Sequence, residues 1–350
     1  MSNVKTILSG QKPYRIKQIY TAWFDPTMQS YDEITTLPKD LREKLQNIPW
    51  LSVLLETIQE SKIDETKKAL LKLDDGEIIE TVLMKRSSKK IDDEDESRYT
   101  VCISTQVGCP MGCAFCSTGA MGFKRNLTAQ EIIDQVRFWQ RYIYEHEADD
   151  ARIGNIVLMG QGEPLLNYDN VKEALSIFLA YTDIGPRKIT LSTVGVPDMM
   201  DKMIADQNFP PVRFALSLHS AIEETREQII RSHKKGFLDF IIEWSKKYHE
   251  RFGTRTHFIG LEYTLLEDIN DDEKHIKALI TLASQLGRIR INLIPYNDSD
   301  TSTSFTASPQ ETIKYWHDRL IKAGFTATIR HSQGQDIAAA CGQLRNSLKH

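Results

Sequence analysis

Gly108-Cys109-Pro110-Met111-Gly112-Cys113-Ala114-Phe115-Cys116 follows a strand-like run, Tyr99 to Ser104, and precedes a helix signal at Thr128. It sets three cysteines at the spacing CxxxCxxC on a stretch that glycine and proline keep irregular. Three thiolates on a loop can hold three irons of a 4Fe-4S cluster and leave the fourth without a protein ligand. An open iron can chelate the amino and carboxylate groups of S-adenosylmethionine and pass it one electron. Zinc is the rival reading, but a structural zinc site closes with a fourth Cys or His nearby. Cys102 and Cys341, the two other cysteines, each stand alone and far apart in sequence. Chance burial is weaker still for three cysteines interleaved with glycine and proline.

Outward from this loop, strand and helix signals alternate. Tyr99 to Ser104, Ile153 to Met159, Lys188 to Ser192, Val212 to Leu218, Phe258 to Leu265 and Arg290 to Ile294 are short and rich in β-branched or aromatic residues, so they read as strands. Between them, Thr128-Ala129-Gln130-Glu131 is a capping box ahead of an Ile132, Val136, Trp139, Ile143 stripe. A second helix carries Ile276, Leu279, Ile280, Ala283 and Leu286 and closes at Gly287; a third starts at Ser308-Pro309 and ends at Gly324. The fold class is therefore α/β with a parallel sheet, either an open doubly wound sheet or a barrel. Ligands then belong at the C-terminal strand ends. Gly160-Gln161-Gly162-Glu163-Pro164, Ser192, Ser217-Leu218-His219 and Tyr296-Asn297 all fall there. Taken alone, the glycines also fit a tight turn and His219 fits a hydrogen-bonded structural histidine.

The N-terminal part has a different texture. Residues up to about 70 read as short helices, with Leu37 to Leu45 the clearest, followed by a strand-like segment at Glu80-Thr81-Val82-Leu83-Met84. Lys85 to Glu96 is a mixed-charge run that cannot sit in a core, so the boundary is expected there, dividing 1–95 from 96–350. The chain has 350 residues, 41% hydrophobic and 26% charged, the proportions of an ordinary globular protein. It has no apolar run long enough to span a bilayer, and Met1 to Lys5 begins no signal peptide, so a cytoplasmic location and no membrane partner are expected. Five cysteines are too few for a disulfide scaffold. A net charge of -4 means that any nucleic-acid surface is a local patch. Lys12, Tyr14, Arg15, Lys17, Tyr20, Trp23 and Phe24 mix basic and aromatic side chains, as an RNA face or as the core of a small helical domain.

CxxxCxxC is the signature spacing of radical S-adenosylmethionine enzymes. Cys102 to Cys109, Cys113 to Gly119 and Gly122 to Thr128 together resemble the RlmN/Cfr family of radical S-adenosylmethionine RNA methyltransferases. The likeness continues through Gly160 to Asn167, Leu191 to Gly195, Ser217 to His219 and Asn292 to Asn297, and it closes with Asp336-Ile337 and Ala339 to Leu344. Tyr14 to Ile19 resembles part of the family's accessory domain. The resemblance implies a partial (β/α) barrel with a small, mainly helical N-terminal domain.

It also implies a chemistry. Cys109, Cys113 and Cys116 would hold the cluster, and Gly162, Glu163, Ser192, Ser217, Leu218, His219 and Asn297 would contact S-adenosylmethionine, two molecules of which are used per turnover. Cys341 would take a methyl group from the first by polar displacement. The second would give a deoxyadenosyl radical that removes hydrogen from that methyl, and the carbon radical would add to adenine. Cys102 would resolve the protein–RNA adduct by forming a disulfide with Cys341, and Glu80 matches the family's proton acceptor. The implied partners are 23S ribosomal RNA, with transfer RNA left open, and a flavodoxin- or ferredoxin-type reductant. The chain departs from the pattern at Gln161, Arg231-Ser232-His233, Asp298 and Gln333. Glu163-Pro164 and Phe123 to Asn126 favour methylation of carbon 2; loss of the arginine before Gly334 keeps carbon 8 as the alternative. A zinc- or cluster-bound RNA-binding protein without catalysis is the reading from another class.

Overall fold

The computed structural model describes residues 4–85, 98–253, 257–298 and 305–345. The expected domain boundary, in the charge run, lies outside the described residues apart from Lys85. Helices α1 (Val4–Leu8), α2 (Pro13–Trp23) and α3 (Lys39–Leu45) open the chain. The helical reading of this part holds only to Leu45. Beyond it, β1 (Val53–Glu60) and β2 (Lys67–Leu73) form antiparallel strands continued by β3 (Ile78–Lys85). Their period-2 signal is missing because β2 is buried on both faces from Lys68 to Leu71.

The six expected strands all form, each within two residues of its expected ends. β4 (Arg98–Cys102) pairs antiparallel with β3. A separate hairpin of β5 (Gln106–Gly108) and β6 (Phe123–Asn126) brackets the cysteine loop and the short helix α4 (Ser117–Ala120). There follow α5 (Ala129–His146), β7 (Arg152–Leu158), α6 (Tyr168–Tyr181), β8 (Ile189–Thr193), α7 (Pro197–Ala205) and β9 (Arg213–Ser217). The chain then forms α8 (Glu223–Ile229), α9 (Phe237–Phe252), β10 (Ile259–Leu265), α10 (Glu273–Ala283), β11 (Ile289–Pro295), α11 (Gln310–Lys322) and β12 (Ala327–Ile329).

The sheet runs β1-β2-β3-β4-β7-β8-β9-β10-β11-β12, and from β4 onward every pairing is parallel. Strands in unbroken chain order have no switch point. Right-handed crossovers then put every helix on the same side of the sheet, which is the arrangement of a barrel wall rather than a doubly wound sheet. The two edge strands, β1 and β12, do not pair with each other, so the barrel is partial.

The main core fills the space between strands and helices. Trp139, Phe178, Trp244 and Trp316 from α5, α6, α9 and α11 are sealed in it, and Trp139 donates its indole N–H to Thr81 at 3.1 Å. The capping box read at Thr128 is formed, with Glu131 reaching back to the Thr128 backbone N–H. Burying a side chain such as Ile132 contributes about 2 kcal/mol, so this stripe fixes α5 against the sheet. The opposite, concave face keeps room for a site.

Candidate active site

A cleft of about 160 Å³ opens at the C-terminal ends of β7 to β11, and the cysteine loop and the C-terminal segment complete its walls. Cys109, Cys113, Cys116 and Cys341 all line it. So do Gly162, Glu163, Ser192, Ser217, His219 and Asn297. The strand-end rule therefore gathers residues from four separate stretches of sequence into one space.

Backbone contacts fix the cysteine loop. Gly108 enters it at φ +74°, where a Cβ would come within 1.9 Å of the Gly122 carbonyl oxygen, so no side chain fits. Cys109 donates its backbone N–H to Gly122 at 2.8 Å, and Ala114 donates to Ile229 at 2.9 Å. Met111 and Phe115 pack with Ile229 and Ile230. Burial pushes the Cys109 thiol up to about 12. It pushes Cys113 up as well, and the neighbouring Cys116 and Cys109 push it further. Such thiols give up their protons only to a strongly cationic group, as metal ligation requires. A cubane asks for one thiolate on each of three separate irons, and the three cysteines sharing one cleft suit that demand.

Opposite the loop, Gly162 sits at φ +102°, and a Cβ there would approach Gln106 to 2.6 Å. Glu163 is 3% exposed and accepts from the backbone N–H groups of Leu165 at 3.0 Å and Val194 at 2.9 Å. Burial nevertheless raises its pKa to about 7, which an ammonium group in the cleft would reverse. Ser192 and Ser217 face each other with their oxygens 3.3 Å apart. His219 accepts the Thr264 backbone N–H at Nδ1, 3.0 Å away, so Nε2 bears the proton. Burial, then Arg226, pushes His219 down to about 3 and keeps it neutral. Leu218 stands behind the wall. Its side chain is fully buried, its N–H goes to Glu262 at 3.0 Å and its carbonyl accepts from Arg226 at 3.2 Å.

The C-terminal segment is pinned from three directions. Asn297 donates to the Cys341 carbonyl at 3.2 Å, Ser117 donates its backbone N–H to Gly342 at 2.7 Å and Thr118 donates to the Leu344 carbonyl at 2.7 Å. On the N-terminal side, Asp336 accepts from Ser61 at 2.7 Å and from the Lys62 N–H at 2.8 Å. Cys341 thereby reaches the cleft while remaining accessible to solvent. Surrounding protein pushes its thiol up, and the Arg330 guanidinium acts against that.

Cys102 ends β4 on the concave face and packs with Val82, Ile337, Ala339 and Leu344. It is raised to about 12, first by burial and then by the nearby Cys341. Cys102 thus packs against Ala339 and Leu344, residues on either side of Cys341 in the C-terminal segment. Glu80 lies on the same face but does not line the cleft; it is fully buried and pairs with Lys68 at 3.0 Å.

Two cleft residues escaped the sequence reading. Arg330 lies 3.1 Å from Glu262, and Glu262 also accepts from Asn292 at 2.7 Å. Their signal was a carboxylate inside β10, a strand buried at every position. The departures from the family pattern point mostly into structure. Gln161 is fully buried, with its backbone N–H donated to Ser104 at 2.9 Å, and the Asp298 carbonyl accepts from Gln343 at 2.8 Å. The basic-aromatic stretch divides by face, with Trp23 and Phe24 in the core and Tyr14 exposed.

The comparisons agree with this geometry. Residues 103–280 match the family model of the Radical SAM superfamily, so the barrel and its cysteine loop define a radical S-adenosylmethionine enzyme. The "Dual-specificity RNA methyltransferase RlmN" of Marinobacter nauticus is 36% identical over 338 residues, 96% of this chain and 87% of the relative. The crystal structure of a radical SAM methyltransferase from Sphaerobacter thermophilus superposes with a TM-score of 0.84 at 33% identity, covering 98% of this chain and 96% of the other. The chain belongs to the RlmN family of radical S-adenosylmethionine RNA methyltransferases. Its cofactors are those of the superfamily, a 4Fe-4S cluster and S-adenosylmethionine. No helix among the described residues is long and apolar enough to cross a membrane.

Proposed function

We propose that this enzyme methylates carbon 2 of an adenine in 23S ribosomal RNA and in transfer RNA, with Cys341 as methyl carrier and Cys102 as resolving thiol. The observation that supports this reading is that Cys341 lines one cleft with the three-cysteine loop while Cys102 packs against the segment that carries Cys341. Bound in that loop and supplied with one electron, the cluster and S-adenosylmethionine provide the radical that an electron-poor ring carbon requires.

The chain's own residues do the rest. Cys109, Cys113 and Cys116 supply the cluster thiolates. Glu163 would accept from the ammonium group of S-adenosylmethionine, and Ser192, Ser217, Gly162, His219 and Asn297, which line the same cleft, would contact the rest of it. Leu218 contributes from behind through its backbone. Cys341 would attack the methyl carbon, forming a carbon–sulfur bond as the sulfonium sulfur leaves with its bonding pair as a neutral thioether; Arg330 favours the thiolate this needs. Once that carbon is bonded to the base and the adduct has lost the ring proton and one electron, Cys102 would attack the Cys341 sulfur. The sulfur–carbon bond would break with its pair passing to the base, whose new methyl carbon takes up a proton, and the disulfide formed takes two electrons to reopen. Glu80 is the proton acceptor in this scheme. Residues 1–95 add RNA contacts through Tyr14, Arg15 and Lys17, and residues 96–350 form the catalytic unit. A flavodoxin- or ferredoxin-type protein supplies electrons in the cytoplasm.

Mass spectrometry of ribosomal and transfer RNA from cells with and without the gene tests this. Loss of 2-methyladenosine from both RNAs is expected. Loss of 8-methyladenosine instead would transfer the reading to carbon 8, and unchanged RNA would remove it.

A further inference from the structure

Arg226 on α8 is 1% exposed, yet no described carboxylate forms an ion pair with it. Its Nε donates to the Leu218 carbonyl at 3.2 Å and its Nη2 to the Val194 carbonyl. Nη1 lies 2.6 Å from Nδ1 of His233, and the guanidinium lies 4.1 Å above the Phe237 ring. A guanidinium only donates, so His233 accepts at Nδ1 and its Nε2–H turns outward to the Glu223 carboxylate. The nearest negative charge is thus one imidazole away. A buried cation held only by neutral acceptors is strongly unfavourable unless an anion completes the site.

The place for that anion is visible. α8 docks directly under the cysteine loop through the Ala114–Ile229 hydrogen bond and a bridge between Cys113 and Ile230. Ile230 in turn donates its N–H to the Arg226 carbonyl at 2.8 Å. Arg226 therefore stands one helical turn behind Cys113, on the protein side of the loop. A cubane on three thiolates carries net negative charge, and reduction makes it more negative by one unit. No bond forms or breaks in that step; one electron arrives from a low-potential one-electron donor.

We propose that Arg226 is a positioning residue for the cluster's charge, stabilising its reduced form, and that Glu223, relayed through His233, trims that effect in the opposite direction. The inference rests on Cys109, Cys113 and Cys116 being the cluster ligands. A unit charge this close in a protein interior changes such an equilibrium by about tenfold or more, and tenfold is about 59 mV for one electron.

The test is a redox titration of the full chain, reconstituted anaerobically and followed by electron paramagnetic resonance, after iron and sulfide have been measured. Arg226→Gln should make reduction about tenfold harder, about 59 mV lower. Arg226→Lys, which keeps the charge, should stay within threefold of wild type. Glu223→Gln removes the charge while keeping one amide oxygen as acceptor, and should make reduction easier. Should Arg226→Gln fail to hold a cluster, the Glu223→Gln shift decides. Full iron content with unchanged midpoints in every cluster-bearing variant would overturn the role of Arg226. A wild-type chain that binds no iron would overturn the cluster reading itself, and this inference with it.

Discussion

Ser117 donates its backbone N–H to the carbonyl of Gly342 at 2.7 Å, so the residue after Cys116 is bonded directly to the residue after Cys341. The loop of Cys116 and the segment of Cys341 are thereby held in register, and the Thr118 hydroxyl adds a second link to Leu344 at 2.7 Å. Thr118→Val keeps the shape and removes that link, at a cost of about 1 kcal/mol. It should retain full iron and still lower methyl transfer several-fold. Iron analysis beside a single-turnover assay checks both; an unchanged rate would mean that the backbone bond alone sets the register.

Lys68 and Glu80 form an ion pair at 3.0 Å with both side chains sealed from solvent, and Lys68 also lies 3.4 Å from the Ala338 carbonyl. Removing one partner of such a pair leaves the other charge buried. Lys68→Met should therefore destabilise the apoprotein by about 3 kcal/mol, and adding Glu80→Leu should recover much of it. Denaturant unfolding of the two variants measures this. Glu80→Gln, if Glu80 is the proton acceptor, should suppress methylated RNA by more than its effect on stability explains.

Glu163 makes stability depend on pH. Its pKa rises from 4.5 to about 7 on folding, chiefly through burial, so the folded state holds the proton more tightly than the unfolded chain. Its contribution is fully present below pH 4.5 and is lost as pH climbs to about 7, up to about 3 kcal/mol in all. Glu163→Gln should flatten that slope in thermal melts of the apoprotein between pH 5 and 8. The same group should bind the ammonium of S-adenosylmethionine more tightly as pH rises through about 7, a trend the variant should lose.

Much of this was legible in sequence because the signals were local. The cysteine spacing, the capping box at Thr128 and six β-branched strands each declare themselves within a few residues. β1 and β2 did not: Leu54 and Leu55 are both exposed on β1, and β2 is buried on both faces, so neither strand alternates. Arg226 was illegible for another reason. Glu223-Glu224-Thr225-Arg226-Glu227 reads as a solvated helix face, and only the docking of α8 beneath the cysteine loop turns its arginine inward. The partnership of Cys102 with Cys341 is implied by family resemblance alone; the fold adds that Cys102 packs against Ala339 and Leu344 beside Cys341.

Separating the roles of those two thiols tests the mechanism most directly. Cys341→Ala should keep the cluster and transfer no methyl group. Cys102→Ala should still load the methyl and attack the base but lack the thiol that releases it. The decisive measurement is a denaturing gel of Cys102→Ala protein purified from cells, with and without nuclease. A slow-migrating species that nuclease removes is the expected result; its absence, with RNA methylated at the wild-type level, would make Cys102 a structural thiol and contradict the two-cysteine mechanism.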